Sequence, residues 1–358
     1  MKKVVSTLVV MVLVVVALAS CSGGAPQIAK VGLGLRTSIA KSTDLTVNAE
    51  GKKVPPTGQV DTVIAAVAFD KAGKIVQVTI DTQQTKVAFD ENLQVVSDTT
   101  ADYPTKVELR DGYGMGRVSS IGKEWYEQAA ELEKWMIGKT VEEVKSMKVK
   151  ERDAEHKSVP DVPELASLVT MDVGEYIQAV ADAYKNAVEV GKGGVSLGLG
   201  HNTSIASSKS YSVTDGKEVL PVAQVDNTIA ATAFDKDGKV VRTIINTAQT
   251  KVNYDKDGKV TSDRTALYPS KVELGDNYGM GRVSSIGKEW YQQIAELEKW
   301  MEGKTANDIK SMKTKERDAS HTAVPDVPEL TSLVTVTVED YINAVVESSD
   351  NAKPVAKK

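Results

Sequence analysis

The chain has 358 residues, of which 44 are Lys or Arg and 49 are Asp or Glu, so its net charge is −5. This balance shows no basic patch, and nucleic acid is therefore not expected as a partner. The only cysteine is Cys21. We therefore expect no disulfide bond, no thiolate metal site and no dithiol redox chemistry. The stability of the fold must then come from hydrophobic cores.

Residues 1–20 have the pattern of a bacterial export signal. Lys2 and Lys3 precede an apolar run, and small residues lead into Cys21. The ending Leu-Ala-Ser-Cys resembles the lipobox of bacterial lipoproteins, in which the cysteine is diacylated and becomes the first mature residue. An ordinary signal peptide or a short membrane anchor is the alternative. The sequence thus predicts a lipid-anchored, extracytoplasmic membrane protein, with residues 21–29 as a tether.

The rest of the chain contains one long segment twice. Sixteen residues from Asp111, DGYGMGRVSSIGKEWY, return from Asp276 with one change, and VPDVPEL also occurs at the same 165-residue offset. Solenoid units are shorter, about 20–50 residues, so a duplicated domain and two equivalent sites are predicted. We place the modules at 30–185 and 195–348, with a linker at 186–194 and a tail at 349–358.

Each module is expected to begin with antiparallel strands. Alternating apolar and polar residues flank Asp70–Lys74 and Asp235–Lys239, where a glycine in the turn predicts a β-hairpin. A similar turn occurs at Asp255–Lys259. A calcium loop is the alternative for Asp-x-Asp-Gly, but the further ligands and distal glutamate of an EF-hand are missing.

Helices are expected later in each module. In the first copy one helical stripe contains Ile121, Trp125, Ala129, Leu132, Trp135 and Met136. These tryptophans are interpreted as core, with flavin stacking as the alternative. Thr140-x-x-Glu143 predicts a capping box for a second helix. The first five or six residues from Ser167 alternate like a strand, and a helix capped at Asp172, or at Thr337 in the second copy, is expected to follow.

These elements predict an α+β fold of two tandem homologous modules, each an antiparallel sheet packed with two or three helices. No catalytic motif is present. His156 and His321 occupy equivalent positions, and His201 stands apart. With no second histidine or cysteine nearby, no metal site is predicted. The protein is interpreted as a carrier or binder more than as a substrate-turning enzyme.

Each copy has a threonine directly before the predicted final helix. Thr170 and Thr335 follow Ser167 and Ser332 by three residues. Helix N-termini expose unpaired N–H groups and accept phosphate, so a phosphoester on these threonines could be solvated there. A plain buried strand with threonines on its polar face is the alternative.

At these residues the chain resembles a known family. The lipoprotein start, the duplication and the Y-G-M…S-x-I-G-K-E-W…E-K-W…G-K-T stretch are similar to the FMN-binding-domain lipoproteins of bacterial extracellular electron transfer, particularly the two-module, pheromone-encoding type. In that family a separate flavin transferase uses FAD to link FMN through its phosphate to a threonine, in a pattern close to D-x-x-S-G-A-T. Glu164-x-x-Ser167-Leu-Val-Thr170 falls on that pattern, as does its second copy, but Glu replaces Asp and Leu-Val replaces Gly-Ala.

The resemblance implies one FMN per module, held at Thr170 and Thr335, with Ser167 and Ser332 in the same motif. Tyr113, Met115, Tyr278 and Met280 of the Y-G-M stretches are expected to line the flavin. Electrons would pass from a membrane quinone or dehydrogenase to an extracellular acceptor. The alternative function is a non-redox surface lipoprotein that binds a small ligand or a protein partner.

Overall fold

The computed structural model describes residues 27–356. Cys21, the export signal and most of the tether lie outside this range. Within it, no helix has both the length and the apolar character needed to cross a membrane.

Two antiparallel sheets, each built mainly from one copy, form the centre of the molecule, and the longer helices pack on them. The strands are β1 (Lys30–Ser38), β2 (Thr46–Val47), β3 (Lys53–Val54), β4 (Thr57–Phe69), β5 (Ile75–Ala88), β6 (Val149–Lys150), β7 (Val159–Pro160), β8 (Val188–Glu189), β9 (Ser196–Ser204), β10 (Ser212–Thr214), β11 (Lys217–Val219), β12 (Val222–Phe234), β13 (Val240–Asn253), β14 (Leu267–Tyr268), β15 (Thr314–Lys315), β16 (Val324–Pro325) and β17 (Lys353–Pro354). The helices are α1 (Lys106–Leu109), α2 (Trp125–Met136), α3 (Val141–Lys145), α4 (Gly174–Lys185), α5 (Lys271–Leu274), α6 (Trp290–Met301), α7 (Ala306–Lys310) and α8 (Glu339–Asp350). The expected α+β class, with antiparallel sheets packed against helices, is confirmed.

The first sheet has the order β14-β1-β4-β5, and β8 also pairs with β1. The second has the order β13-β12-β9-β17. The predicted hairpins are confirmed, because Gly73 and Gly238 adopt φ values of 75° and 73° in the turns that join their long strands. The segment expected as a linker contains β8, and the expected tail contains β17, so both pair within the sheets.

Glycines in β1 allow a helix to lie directly on the sheet. A Cβ added at Gly32 or Gly34 would stand 1.9 Å from a carbonyl oxygen of α4, at Ala183 or Ala179 respectively. Gly198 and Gly200 in β9 meet α8 in the same way. The glycine-rich segments therefore serve close helix–strand packing.

Each copy has a core between its sheet and helices, and further clusters are shared. Trp125, Leu132 and Met136 belong to the first core, and Trp290 and Leu297 to the second. The opposite faces of the sheets meet each other through apolar side chains of both copies, such as those of Ile64, Val31, Leu197 and Ile229. The two copies thus bury surface together as well as separately.

Three local expectations are wrong or shifted. Ile121 precedes α2, which begins at Trp125. Residues 167–172, expected as a strand, form turns and irregular backbone. The N-cap residues of α4 and α8 are Val173 and Val338, one position after the expected Asp172 and Thr337, and neither makes a side-chain cap hydrogen bond. The capping box at Thr140 and Glu143 is confirmed.

Candidate functional site

The Y-G-M segment forms a sharp bend. Two short 3-10 helices, Arg110–Tyr113 and Met115–Arg117, meet at Gly114, whose φ of 77° is left-handed. Gly279 has a φ of 79° at the equivalent bend of the second copy. Such backbone favours glycine because it has no Cβ. The bend places Tyr113 and Met115 on the wall of one cleft.

This cleft brings together three of the four predicted site residues of the first copy. Its volume is about 560 Å³, within the range of about 300–1,000 Å³ that is usual for small-molecule sites. Its lining residues are Tyr113, Gly114, Met115, Val118, Ser119, Arg152, His156 and Thr170. Thr170, Tyr113 and Met115, which are far apart in sequence, therefore meet around one volume.

A buried glutamine of α2 positions the threonine. Gln128 is 0% exposed, and its Nε2 donates to Ser119 Oγ at 3.2 Å and to the Lys123 carbonyl at 3.1 Å. Its Oε1 accepts from the backbone N–H groups of Thr170 at 2.8 Å and Met171 at 3.3 Å, and from Thr170 Oγ1 at 3.4 Å. One side chain thus links the threonine to the segment after the Y-G-M bend.

The second copy repeats this arrangement. Gln293 is also 0% exposed, and its Nε2 donates to Ser284 Oγ at 3.2 Å and contacts Met280 Sδ at 3.6 Å. Its Oε1 accepts from Thr335 N at 2.9 Å and Thr335 Oγ1 at 3.2 Å. Tyr278 packs against the core of this copy. The chain therefore has two similar sites, and in both a buried amide contacts the threonine hydroxyl.

An arginine and a histidine add positive or donor groups beside the threonine. Arg152 Nη1 donates to the Thr170 carbonyl at 2.7 Å, and Arg317 donates to that of Thr335 at 2.8 Å. His156 Nδ1 lies 2.6 Å from Asp153 Oδ1, and that hydrogen bond together with the one from Arg152 lowers the pKa of Asp153. The anionic Asp153 in turn orients both side chains. Sequence reasoning missed Arg152 and gave His156 no place in the site, because nothing in the local pattern places them at Thr170.

A lysine and two aromatic rings lie behind each Y-G-M bend. Lys106 Nζ is 4.8 Å from the ring centroid of Tyr113 and 5.5 Å from that of Trp125. Lys271 lies over Tyr278 and Trp290 in the same way. Burial lowers the pKa of Lys271 to about 8, because removing an ammonium group from water disfavours its charged form. The buried tryptophans, Trp125 and Trp290, are core residues, as the sequence predicted.

Two parts of the expected site differ in the structure. Ser167 and Ser332 are exposed, and Ser167 is not among the residues that line the first cleft. The final helix begins at Gly174, and its first N–H donates to Asp172 Oδ1 at 2.9 Å. The helix N-terminus therefore already has an anionic acceptor, and donors to a phosphate on Thr170 must come from elsewhere in the cleft.

A second cluster joins the copies and was not predicted. His201 Nε2 lies 3.1 Å from Glu108 Oε2, and His201 Nδ1 lies 3.2 Å from Glu347 Oε2. Burial alone would lower the pKa of His201, but the hydrogen bonds and charges of Glu108 and Glu347 outweigh it and raise the pKa to about 10. The three residues are distant in sequence and no local motif indicates them. The expectation that no metal-binding group exists therefore missed this set of donors.

Comparison of the chain with protein-family models, curated proteins and solved structures finds no match.

Proposed function

We propose that the chain is a lipid-anchored, extracytoplasmic electron carrier that holds one FMN per copy, attached through its phosphate to Thr170 and to Thr335. The observation that carries the proposal is the shared cleft: Thr170, Tyr113 and Met115 line the same volume of about 560 Å³. Thr170 is partly exposed and lines this cleft.

The residues of the cleft fit a phosphoester and an aromatic ring system. Arg152 and His156 stand on the wall beside Thr170, and a guanidinium is suited to phosphate oxygens. Tyr113, Met115 and Val118 offer ring and apolar surface to a flat heterocycle. Arg152 and His156 would hold the phosphate, while the Y-G-M bend would hold the ring.

The bound flavin would supply the redox chemistry, and the protein would supply attachment and orientation. Gln128 Oε1 accepts a hydrogen bond from the Thr170 hydroxyl and so would orient it. We assign no substrate-turning step to the chain itself. Its partners would be a flavin transferase with FAD as donor, a membrane quinone or dehydrogenase as electron source, and an extracellular acceptor.

The test is co-expression of the full chain with a flavin transferase, followed by denaturation, in-gel flavin fluorescence and intact-mass measurement. We expect two FMN increments per chain. Thr170→Val and Thr335→Val should each remove one increment, and the double variant should remove both, because the ester oxygen is lost.

Thr331→Val is the matched control. Thr331 is an exposed threonine of the second copy, four residues before Thr335, and its hydroxyl donates to the Val327 carbonyl at 2.7 Å. This variant should keep both increments. Absence of any FMN mass increment in the wild-type chain would contradict covalent flavinylation and favour a non-redox binding protein. Two increments retained in the double variant would show that the attachment residues are wrong.

A further inference from the structure

The strongest unassigned site lies between the two copies. A cavity of about 310 Å³ is lined by Thr79, Asp81 and Glu108 of the first copy and by His201, Glu347 and Asp350 of the second. Lys353 also lines the cavity, and its Nζ lies 3.6 Å from Oε2 of a further carboxylate, that of Glu133. Carboxylates thus outnumber cationic groups around this cavity, which favours a cationic ligand.

We propose that Glu108 and His201 bind a divalent transition-metal cation of the Zn²⁺ class at this junction, while Glu347 orients the imidazole. One donor atom from each of the three residues lies within 4.8 Å of the others. Imidazole nitrogen and carboxylate oxygen are both ligands that Zn²⁺ accepts.

The distances fit one ion on the Nε2 side of the ring. Tetrahedral ligands at about 2.0–2.1 Å from Zn²⁺ are about 3.3 Å apart, and His201 Nε2 and Glu108 Oε2 are 3.1 Å apart. Metal binding replaces the proton on Nε2, which leaves to solvent, and two electrons of that nitrogen form the bond to the ion. Water in the cavity completes the coordination.

Glu347 contacts His201 at Nδ1, the ring nitrogen that does not bind the ion. Its Oε2 accepts from the His201 backbone N–H at 2.9 Å and lies 3.2 Å from Nδ1. A carboxylate that accepts the remaining ring N–H fixes the tautomer and the orientation of metal-binding histidines. Glu347 is therefore a positioning residue in this site.

A separate observation indicates a missing polar partner in the cavity. Thr79 is 8% exposed, and its Oγ1 has no hydrogen-bond partner among the described residues. Buried hydroxyl groups in folded proteins nearly always have a partner. Because Thr79 lines the same cavity as the three donors, a metal-bound water there would satisfy its hydroxyl.

The duplication provides an internal comparison. Arg36 occupies the position equivalent to His201, and its guanidinium bonds to Glu175 and to Asp182, which is equivalent to Glu347. Ile244 and Asn246 replace Thr79 and Asp81. Arginine has no lone pair available for a metal. The proposal therefore predicts one metal site per chain and not two.

The test is calorimetric titration of the full chain, purified in detergent and freed of metal with a chelator, with Zn²⁺ at pH 8. The background carries His156→Gln and His321→Gln, which remove the two other, partly exposed histidines. We expect one Zn²⁺ per chain, and His201→Gln should abolish the binding. Glu347→Gln should weaken it about 10–100-fold, as expected for loss of an orienting carboxylate.

Glu108→Gln keeps the proposal testable if His201→Gln fails to fold, because glutamine can retain the hydrogen bond that Glu108 accepts from Thr105 N. It should weaken Zn²⁺ binding at least tenfold, with an unchanged far-UV circular dichroism spectrum. Absence of Zn²⁺ binding to the background chain would overturn the proposal and leave His201 as an ionic link between the copies. Unchanged binding in both His201→Gln and Glu108→Gln would also overturn it.

Discussion

The side-chain oxygen of Gln128 accepts hydrogen bonds from both the backbone nitrogen and the hydroxyl of Thr170, at 2.8 Å and 3.4 Å, across 42 residues of sequence. The same amide donates to the Lys123 carbonyl and to Ser119 Oγ. Helix α2 therefore sets the position of the candidate threonine, although the threonine belongs to an irregular segment.

Gln128→Leu should destabilise the protein. The substitution removes the acceptor of the N–H groups of Thr170 and of the buried Met171 and leaves them without this partner, which costs about 1–3 kcal/mol. Urea denaturation followed by circular dichroism measures the change. Gln178→Leu is the control, because Gln178 is an exposed glutamine on α4 and should alter the free energy of unfolding by less than about 0.5 kcal/mol. Equal effects of the two variants would show that the buried amide has no special role.

Arg152→Leu should slow FMN attachment at Thr170 and leave attachment at Thr335 unchanged. Arg152 lies on the wall of the cleft beside Thr170, and a hydrogen bond from its guanidinium to the transferred phosphate would contribute about 1.5–3 kcal/mol, equivalent to roughly 10–100-fold in rate. Mass spectrometry of the two threonine peptides over time measures both rates in one chain.

Arg317→Leu is the mirror variant and should slow attachment at Thr335 alone. Equal rates at the two threonines in each variant would contradict a role of the arginines at the attachment sites. Loss of attachment at both threonines would indicate a general folding defect.

The sequence predicted those structural elements that depend on local residue patterns. Hairpins at Gly73 and Gly238 follow from turn chemistry, and the α2 stripe follows from helical periodicity. The neighbourhood of Thr170 could not be predicted in this way, because Gln128 and Arg152 reach it only through tertiary packing. The segment after Ser167 alternates like a strand, but Val169, Met171 and Val173 bury their side chains in the helical core instead.

Gly34→Ala should destabilise the contact between β1 and α4. The new Cβ would stand 1.9 Å from the Ala179 carbonyl oxygen, so the helix must move away, and such overpacking costs about 1–3 kcal/mol. Gly112→Ala is the control, because a Cβ there meets no atom within 4 Å and its φ is not left-handed. Thermal unfolding should show a lower melting temperature for Gly34→Ala alone. An equal decrease in both variants would contradict a specific clash between residue 34 and helix α4.

Two partly buried carboxyl groups, those of Glu133 and Glu298, should make the protein less stable as pH rises from about 4 to 7. Burial raises the pKa values of Glu133 and Glu298 to about 7, although the charges of Lys353 and Arg242 respectively oppose the shift. Each carboxyl oxygen accepts a backbone N–H, from Ile80 at 2.8 Å or Ile245 at 2.7 Å.

The direction of this pH dependence follows from the number of protons that the folded and unfolded states bind. An exposed glutamate has a pKa of about 4.3, so between that value and about 7 the folded state binds more protons than the unfolded state. The free energy of unfolding therefore decreases with pH across this range and becomes independent of these groups above it. Glu133→Gln and Glu298→Gln keep an acceptor for the backbone N–H but cannot ionise.

Urea denaturation at pH 4 and pH 8 tests this directly. At pH 8 each substitution should increase the free energy of unfolding relative to wild type, by up to about 3 kcal/mol, whereas at pH 4 the gain should vanish. Glu142→Gln, at a side chain that is 80% exposed, should show no such pH-dependent gain. If the Glu133 and Glu298 variants gained equally at both pH values, packing and not ionisation would be the cause, since only ionisation makes the gain depend on pH.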